Sequence, residues 1–238
     1  MKDREMTGLD DAEAMVVLLP GLWMPPSVML PLALRLKRCG YRSVRFGYAS
    51  VRASLDENAE RLAATVEKLG QRRIHLVGHS LGGVLALHAT TALKLAQVQR
   101  IVLAGSPYAD SYAARGLARV RLGRWMLGRT VPDWLARDKP SAPPGTEVGV
   151  IAGTVGFGLG ALVAPGLPRP HDGVVSAGET RVKAMTGYTE ARVSHSGMLL
   201  APCVARLICT FLRHGTFDEQ KATAQFDAPV TRQWRNST

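Results

Sequence analysis

Three residues able to turn a weak nucleophile into a strong one lie far apart in the sequence. They are Ser80 in Gly78-His79-Ser80-Leu81-Gly82, Asp172 in His171-Asp172-Gly173, and His195 in Ser194-His195-Ser196. A serine hydroxyl attacks a carbonyl readily only when a neighbouring base takes its proton, and imidazole titrates in the right range for that task. A carboxylate on the far side of the ring fixes the tautomer and stabilises the imidazolium. Ser80 sits in a Gly-x-Ser-x-Gly between an apolar run, Ile74-His75-Leu76-Val77, and a small-residue run, Gly82-Gly83-Val84-Leu85-Ala86. That order predicts a strand, a sharp turn and a helix, with the serine lifted to the edge of a sheet. The flanking glycines avoid collisions in the turn, and the N–H groups of the helix start face the place where an oxyanion would form. The plainer alternative is an ordinary strand-to-helix turn.

The remaining candidates sort by position. His75 falls inside the strand, His79 is beside the serine but aimed elsewhere, His88 is two turns down the helix, and His214 ends a later helix, where positive charge is favoured anyway. His195 follows the last predicted strand and is the expected base. Asp172 is the expected acid, with Asp110 after the preceding strand as its rival and a simple Asp-Gly turn as the structural alternative. Two backbone donors are expected at the oxyanion, Leu81 directly after the serine and Leu22 in the loop after the first strand. Trp23, His79, Phe157 and Met198 are the expected substrate contacts. No Cys/His spacing suggests a metal, and no cofactor is expected.

The elements that must position these residues alternate. Apolar runs at 15–19, 43–46, 74–77, 100–104, 147–152 and 188–193 read as strands, and helical patterns fill 29–38, 54–69, 81–96 and 202–212. Ser54 and Glu57 form a capping box, and Pro202 is placed to start the last helix. Strands alternating with helices predict an α/β fold, a mostly parallel sheet of about six strands with helices on both faces. Ligand sites in such sheets lie beyond the carboxyl ends of the strands, which is where Leu22, Ser80, Asp172 and His195 fall. The chain is expected to form a single domain over 1–238, with 108–146 inserted as a small helical cap and 218–238 as a polar tail. Within the cap, Val120, Leu122, Trp125, Met126 and Leu127 are interleaved with arginines, predicting a basic amphipathic helix that is either a lid with an apolar underside or a plain surface helix covering the sheet.

Together these segments resemble the α/β-hydrolase superfamily on its lipase and esterase side. The resemblance spans roughly 15–215. It rests on Leu18-Leu19-Pro20-Gly21-Leu22-Trp23, Gly78-His79-Ser80-Leu81-Gly82, His171-Asp172-Gly173-Val174-Val175 and Ser194-His195-Ser196. The Asp-Gly-Val-Val segment is similar to that of small bacterial lipases, in which the aspartate is the triad acid. The resemblance implies an α/β-hydrolase fold and cleavage of carboxylic esters through an acyl-enzyme. Thioester or amide cleavage, and a non-catalytic lipid-binding role, stand as alternatives. Pro20 departs from the pattern, which usually has histidine before this glycine, and the sheet is two strands short at its front.

Composition bounds the rest. With 46% hydrophobic residues the chain can build a sizeable core, and no apolar run reaches the roughly 18 residues of a membrane span. The net charge of +11 comes mostly from dispersed arginines, denser from Arg115 to Arg129, without the motifs of nucleic-acid recognition. Nucleic acid is therefore not expected as a partner. A small-molecule or lipid ester is; for the charge, a solvated basic surface is the plainer reading, and attraction to an anionic membrane surface or an acidic partner the sharper one. Three cysteines, Cys39, Cys203 and Cys209, suggest no paired framework, which suits a reducing cytoplasm. The mixed-charge N-terminus reads as no signal peptide. Oligomeric state is left open by the sequence.

Overall fold

The computed structural model describes residues 14–156 and 166–218. Six strands form one wholly parallel sheet: β1 (Met15–Leu19), β2 (Arg42–Arg45), β3 (Ile74–His79), β4 (Val98–Ala104), β5 (Glu147–Gly153) and β6 (Gly187–Ala191), in the spatial order β2-β1-β3-β4-β5-β6. Central strands are buried on both faces, which is why they read as unbroken apolar runs. Side chains divide by the two-residue period of a strand. Val17, Leu19, Leu76, Ile101, Leu103 and Val150 pack toward α2 (Leu55–Lys68) and α3 (Leu81–Ala92). Val16, Leu18, Val77, Val102 and Ile151 pack toward α1 (Leu30–Arg38) and a long C-terminal helix, Pro202–His214. The predicted capping box of α2 forms, with Ser54 Oγ accepting from Glu57 N–H at 3.1 Å.

From β1 the chain moves outward to β2, then returns past β1 to build β3 through β6 on the other side. The direction of winding therefore reverses between β1 and β3. Helices on either side of such a reversal diverge, opening a crevice at the strand ends. Leu22 leaves one of these two strands and Ser80 the other.

The cap holds more than the one amphipathic helix read within it. Residues 108–146 hold three short helices, α4 (Tyr112–Leu117), α5 (Arg121–Leu127) and α6 (Thr130–Leu135), so we number the Pro202–His214 helix α7. Gly128, at φ 63°, ends α5, and the helix turns inward only Gly123 and Leu127. Leu122, Trp125 and Met126, which the lid reading puts beneath the cap, face outward. The underside comes instead from Ala113, Ala114 and Leu117 of α4 with Val131 and Trp134 of α6. Polar contacts tie the cap to the start of α2: Asp133 Oδ2 accepts from Leu55 N–H at 2.9 Å, and Arg137 pairs with Asp56 at 2.7 Å.

Cys39 and Cys209 form a disulfide joining the end of α1 to α7 across 170 residues. This corrects the expectation of three unpaired cysteines and removes the argument for a reducing compartment. Sequence spacing gave no hint of it, because the two helices meet only when both pack on one face of the sheet. Among the described residues no helix is long and apolar enough to cross a membrane. The predicted tail lies, apart from Asp218, outside the described residues.

Candidate active site

Ser80 stands where β3 hands over to α3. Its backbone, at φ 53° and ψ −125°, occupies a region that costs a non-glycine residue about 1–3 kcal/mol. The surroundings hold it there. Ser80 N–H donates to the Ala104 carbonyl at 3.0 Å, and the Ser80 carbonyl accepts from Gly83 N–H at 3.0 Å. A Cβ on Gly78 would strike the backbone of Gly82 and Gly83, and one on Gly82 would strike the carbonyls of Leu19 and Pro20. Strand and helix thus pack backbone to backbone, and both glycines of the motif are required by contact.

Asp172 is fully buried, and three donors hold its carboxylate. Oδ1 accepts from the N–H groups of Val174 at 2.9 Å and Val175 at 2.7 Å, and Oδ2 accepts from His195 Nδ1 at 2.7 Å. The turn delivering the two backbone donors needs φ 101° at Gly173, so the Asp-Gly pair forms a turn that also holds the Asp172 carboxylate in place. A second link, His195 N–H to the Asp172 carbonyl at 2.9 Å, fixes the main chain as well as the ring. With a carboxylate at Nδ1, that nitrogen carries the proton and Nε2 keeps its lone pair. Ser80 and His195 line the same cavity.

Behind Ser80, Gly21 lets the loop after β1 close up: a Cβ there would lie 3.1 Å from Ser80 Cβ. Trp23, at φ 63°, bends the loop so that Leu22 faces the cavity. Among the described residues, no carbonyl or side chain accepts from the N–H of Leu22 or of Leu81, which both line the cavity. Two residues that the sequence reading passed over pin this loop. Tyr48 OH donates to the Pro20 carbonyl at 2.9 Å, and Ser50 Oγ accepts from Trp23 N–H at 3.2 Å. Burial pushes the Tyr48 phenol well above its ordinary value, so it stays a donor. The available signal was position: both follow β2 at the carboxyl edge of the sheet.

The cavity has a volume of about 240 Å³ and is walled mostly by aliphatic groups, among them Leu117, Leu127, Val131, Val174 and Val175, with Trp134. Three of the four expected substrate contacts lie elsewhere and the fourth is not described. His79 is buried outside the cavity, its Nε2 donating to the His195 carbonyl at 3.0 Å and its ring centroid 4.7 Å from that of His195. Burial beside His195 pushes its pKa down to about 3, so the ring is neutral. Met198 is buried against Gly105 and Gly153. Trp23 lies on the outer surface, its indole N–H donating to the Met126 carbonyl at 2.7 Å. Phe157 lies outside the described residues. The rival acid Asp110 is engaged by Arg115 at 2.7 Å rather than by an imidazole. Among the described residues no cluster of His, Cys, Asp or Glu is placed to hold a metal ion.

Solved structures with this architecture include the mature lipase BlEst2 of Bacillus licheniformis, with a TM-score of 0.72 at 20% identity over 85% of this chain and 93% of that one. The monoacylglycerol lipase of Paleococcus ferrophilus gives 0.58 at 17% identity, covering 84% and 94%. The type II thioesterase BorB of the borrelidin biosynthetic cluster gives 0.54 at 16%, covering 84% and 91%. At these identities the likeness is one of fold. No curated protein sequence matches the chain. A model of the alpha/beta hydrolase family matches residues 16–236, nearly the whole sequence, and with the parallel sheet and the turn at Ser80 it shows that the chain belongs to that family.

Proposed function

We propose that the protein is a serine hydrolase that cleaves carboxylic esters of apolar acyl groups. One observation carries the reading: a strained Ser80 and a His195 held by Asp172 open onto a single cavity whose walls are aliphatic. Ser80 Oγ attacks the ester carbonyl while its proton passes to His195 Nε2. The oxyanion forms between the N–H groups of Leu22 and Leu81. Collapse expels the alcohol, which takes the proton from His195 and leaves an acyl-serine. Water then attacks the acyl carbon, giving its proton to His195, and the acid departs as that proton returns to Ser80. Asp172 stays ionised throughout and balances the imidazolium. The acyl chain lies against Leu117, Val131 and Trp134, where burial of each methylene adds about 0.8 kcal/mol of binding.

The test is hydrolysis of p-nitrophenyl esters over a series of acyl lengths, with Ser80→Ala alongside. The wild type should hydrolyse them with an optimum at an intermediate length, and the variant should lose at least about 10⁴-fold in kcat. A folded wild type inactive on every ester, but active on thioesters or amides, would overturn the ester reading and keep the triad. Undiminished activity in Ser80→Ala would overturn the mechanism.

A further inference from the structure

The cap carries a surface for which the chemistry at Ser80 has no use. Leu122 and Trp125 are each 67% exposed, Val120 is 56% exposed and Trp23 52%, a concentration of large apolar groups that a soluble surface seldom tolerates. They are continuous. Leu122 and Trp125 share a face of α5 at three-residue spacing, the rings of Trp125 and Trp23 lie 5.8 Å apart, and the indole of Trp23 is fastened to the end of α5 through Met126. Arg119, Arg121 and Arg124 stand exposed among them, and among the described residues none of the three meets a carboxylate. The patch also borders the cavity. Leu22 and Leu127, which line it, are the chain neighbours of Trp23 and Met126.

We infer that this face of the cap, Val120 to Met126 with Trp23, docks the protein on an anionic lipid bilayer. Tryptophan is suited to the headgroup level, where an apolar ring and a polar N–H both find partners. Arginines that meet no carboxylate supply the attraction to anionic headgroups, and α5, of seven residues, is long enough to lie on a surface and too short to span a bilayer. Charge argues against a second copy as the occupant. A two-fold contact would set Arg119, Arg121 and Arg124 against themselves. Docking is independent of the ester reading, although it would bring the cavity mouth to the lipid.

The experiment is co-sedimentation of the full chain, carrying Ser80→Ala so that no lipid is consumed, with phosphatidylcholine vesicles with or without about 30% phosphatidylglycerol. Binding should appear only with the anionic lipid and fall steeply with added salt. Each arginine near such a surface is worth roughly fivefold in binding, so Arg119→Glu/Arg121→Glu/Arg124→Glu should bind at least about a hundredfold more weakly. Leu122→Ser/Trp125→Ser should also lose most of the binding and keep full hydrolysis of a short soluble ester when Ser80 is restored. All five positions are exposed, so both variants should fold as the parent does. No binding to anionic vesicles, equal binding to phosphatidylcholine alone, or undiminished binding by either variant would overturn the proposal. So would a dimer in solution that Leu122→Ser/Trp125→Ser converts to monomer, or capture of an acidic protein in place of vesicles.

Discussion

At Asp172, two backbone donors and one imidazole N–H fill the carboxylate, so its charge is held without a full cation nearby until His195 takes a proton. His79 performs a different service. It grips the main chain of His195 while remaining neutral, and so adds no positive charge where the imidazolium must form. His75, buried in β3, is likewise pushed down to about 3 by burial and by nearby arginines. Both histidines ionise near 6.5 when unfolded. Between that value and about 3 the unfolded chain therefore binds two protons that the folded chain refuses. Stability from this source is fully present above pH 6.5 and is lost as pH falls toward 3. From pH 7 to pH 5 it should drop by about 2 kcal/mol for each ring. Urea unfolding at the two pH values reads this directly. His75→Leu should remove about half of the slope, and a slope unchanged in that variant would show that His75 is charged in the fold.

The elements divide into those the sequence announces and those it does not. Strands β1, β3, β4 and β5 were legible because burial on both faces leaves mostly apolar runs in them. The turn at Ser80 was legible because backbone contact between strand and helix admits glycine alone at 78 and 82. The amphipathic helix read around Val120 to Leu127 forms as α5, but its periodicity did not say which of its faces packs inward. Gly128 at positive φ ends α5, and Gly123 within it packs on the backbone of Leu117, which leaves the larger apolar side chains facing outward. The disulfide was illegible for another reason, since α1 and α7 are brought together by the sheet and not by any local pattern. Closing a loop of 170 residues gives it a stabilising effect of about 5 kcal/mol by the chain-entropy argument, against about 2–4 kcal/mol in typical measurements. Cys39→Ser should lower the unfolding temperature accordingly, and dithiothreitol should lower that of the wild type to match. Cys203→Ser should do neither, because that thiol is free. An unfolding temperature indifferent to dithiothreitol would contradict the bridge.

Across the whole molecule, a parallel sheet brings Ser80, Asp172 and His195 to one edge, and the cap supplies the cavity walls above them. That Ser80, Asp172 and His195 meet at this edge was legible from residue type and from position after strands. The substrate contacts were not, since they depend on which side of each cap helix faces inward, and that is decided by packing rather than by periodicity. Everything proposed for catalysis turns on Ser80 being the nucleophile. Incubation with a p-nitrophenyl alkylphosphonate, followed by mass spectrometry of the digested protein, tests this most directly. The account predicts release of p-nitrophenol, a single phosphonyl group on the peptide that contains Ser80, and no adduct in His195→Ala, which lacks the base. A folded protein that takes up no phosphonyl group, or takes it up on another residue, would contradict it.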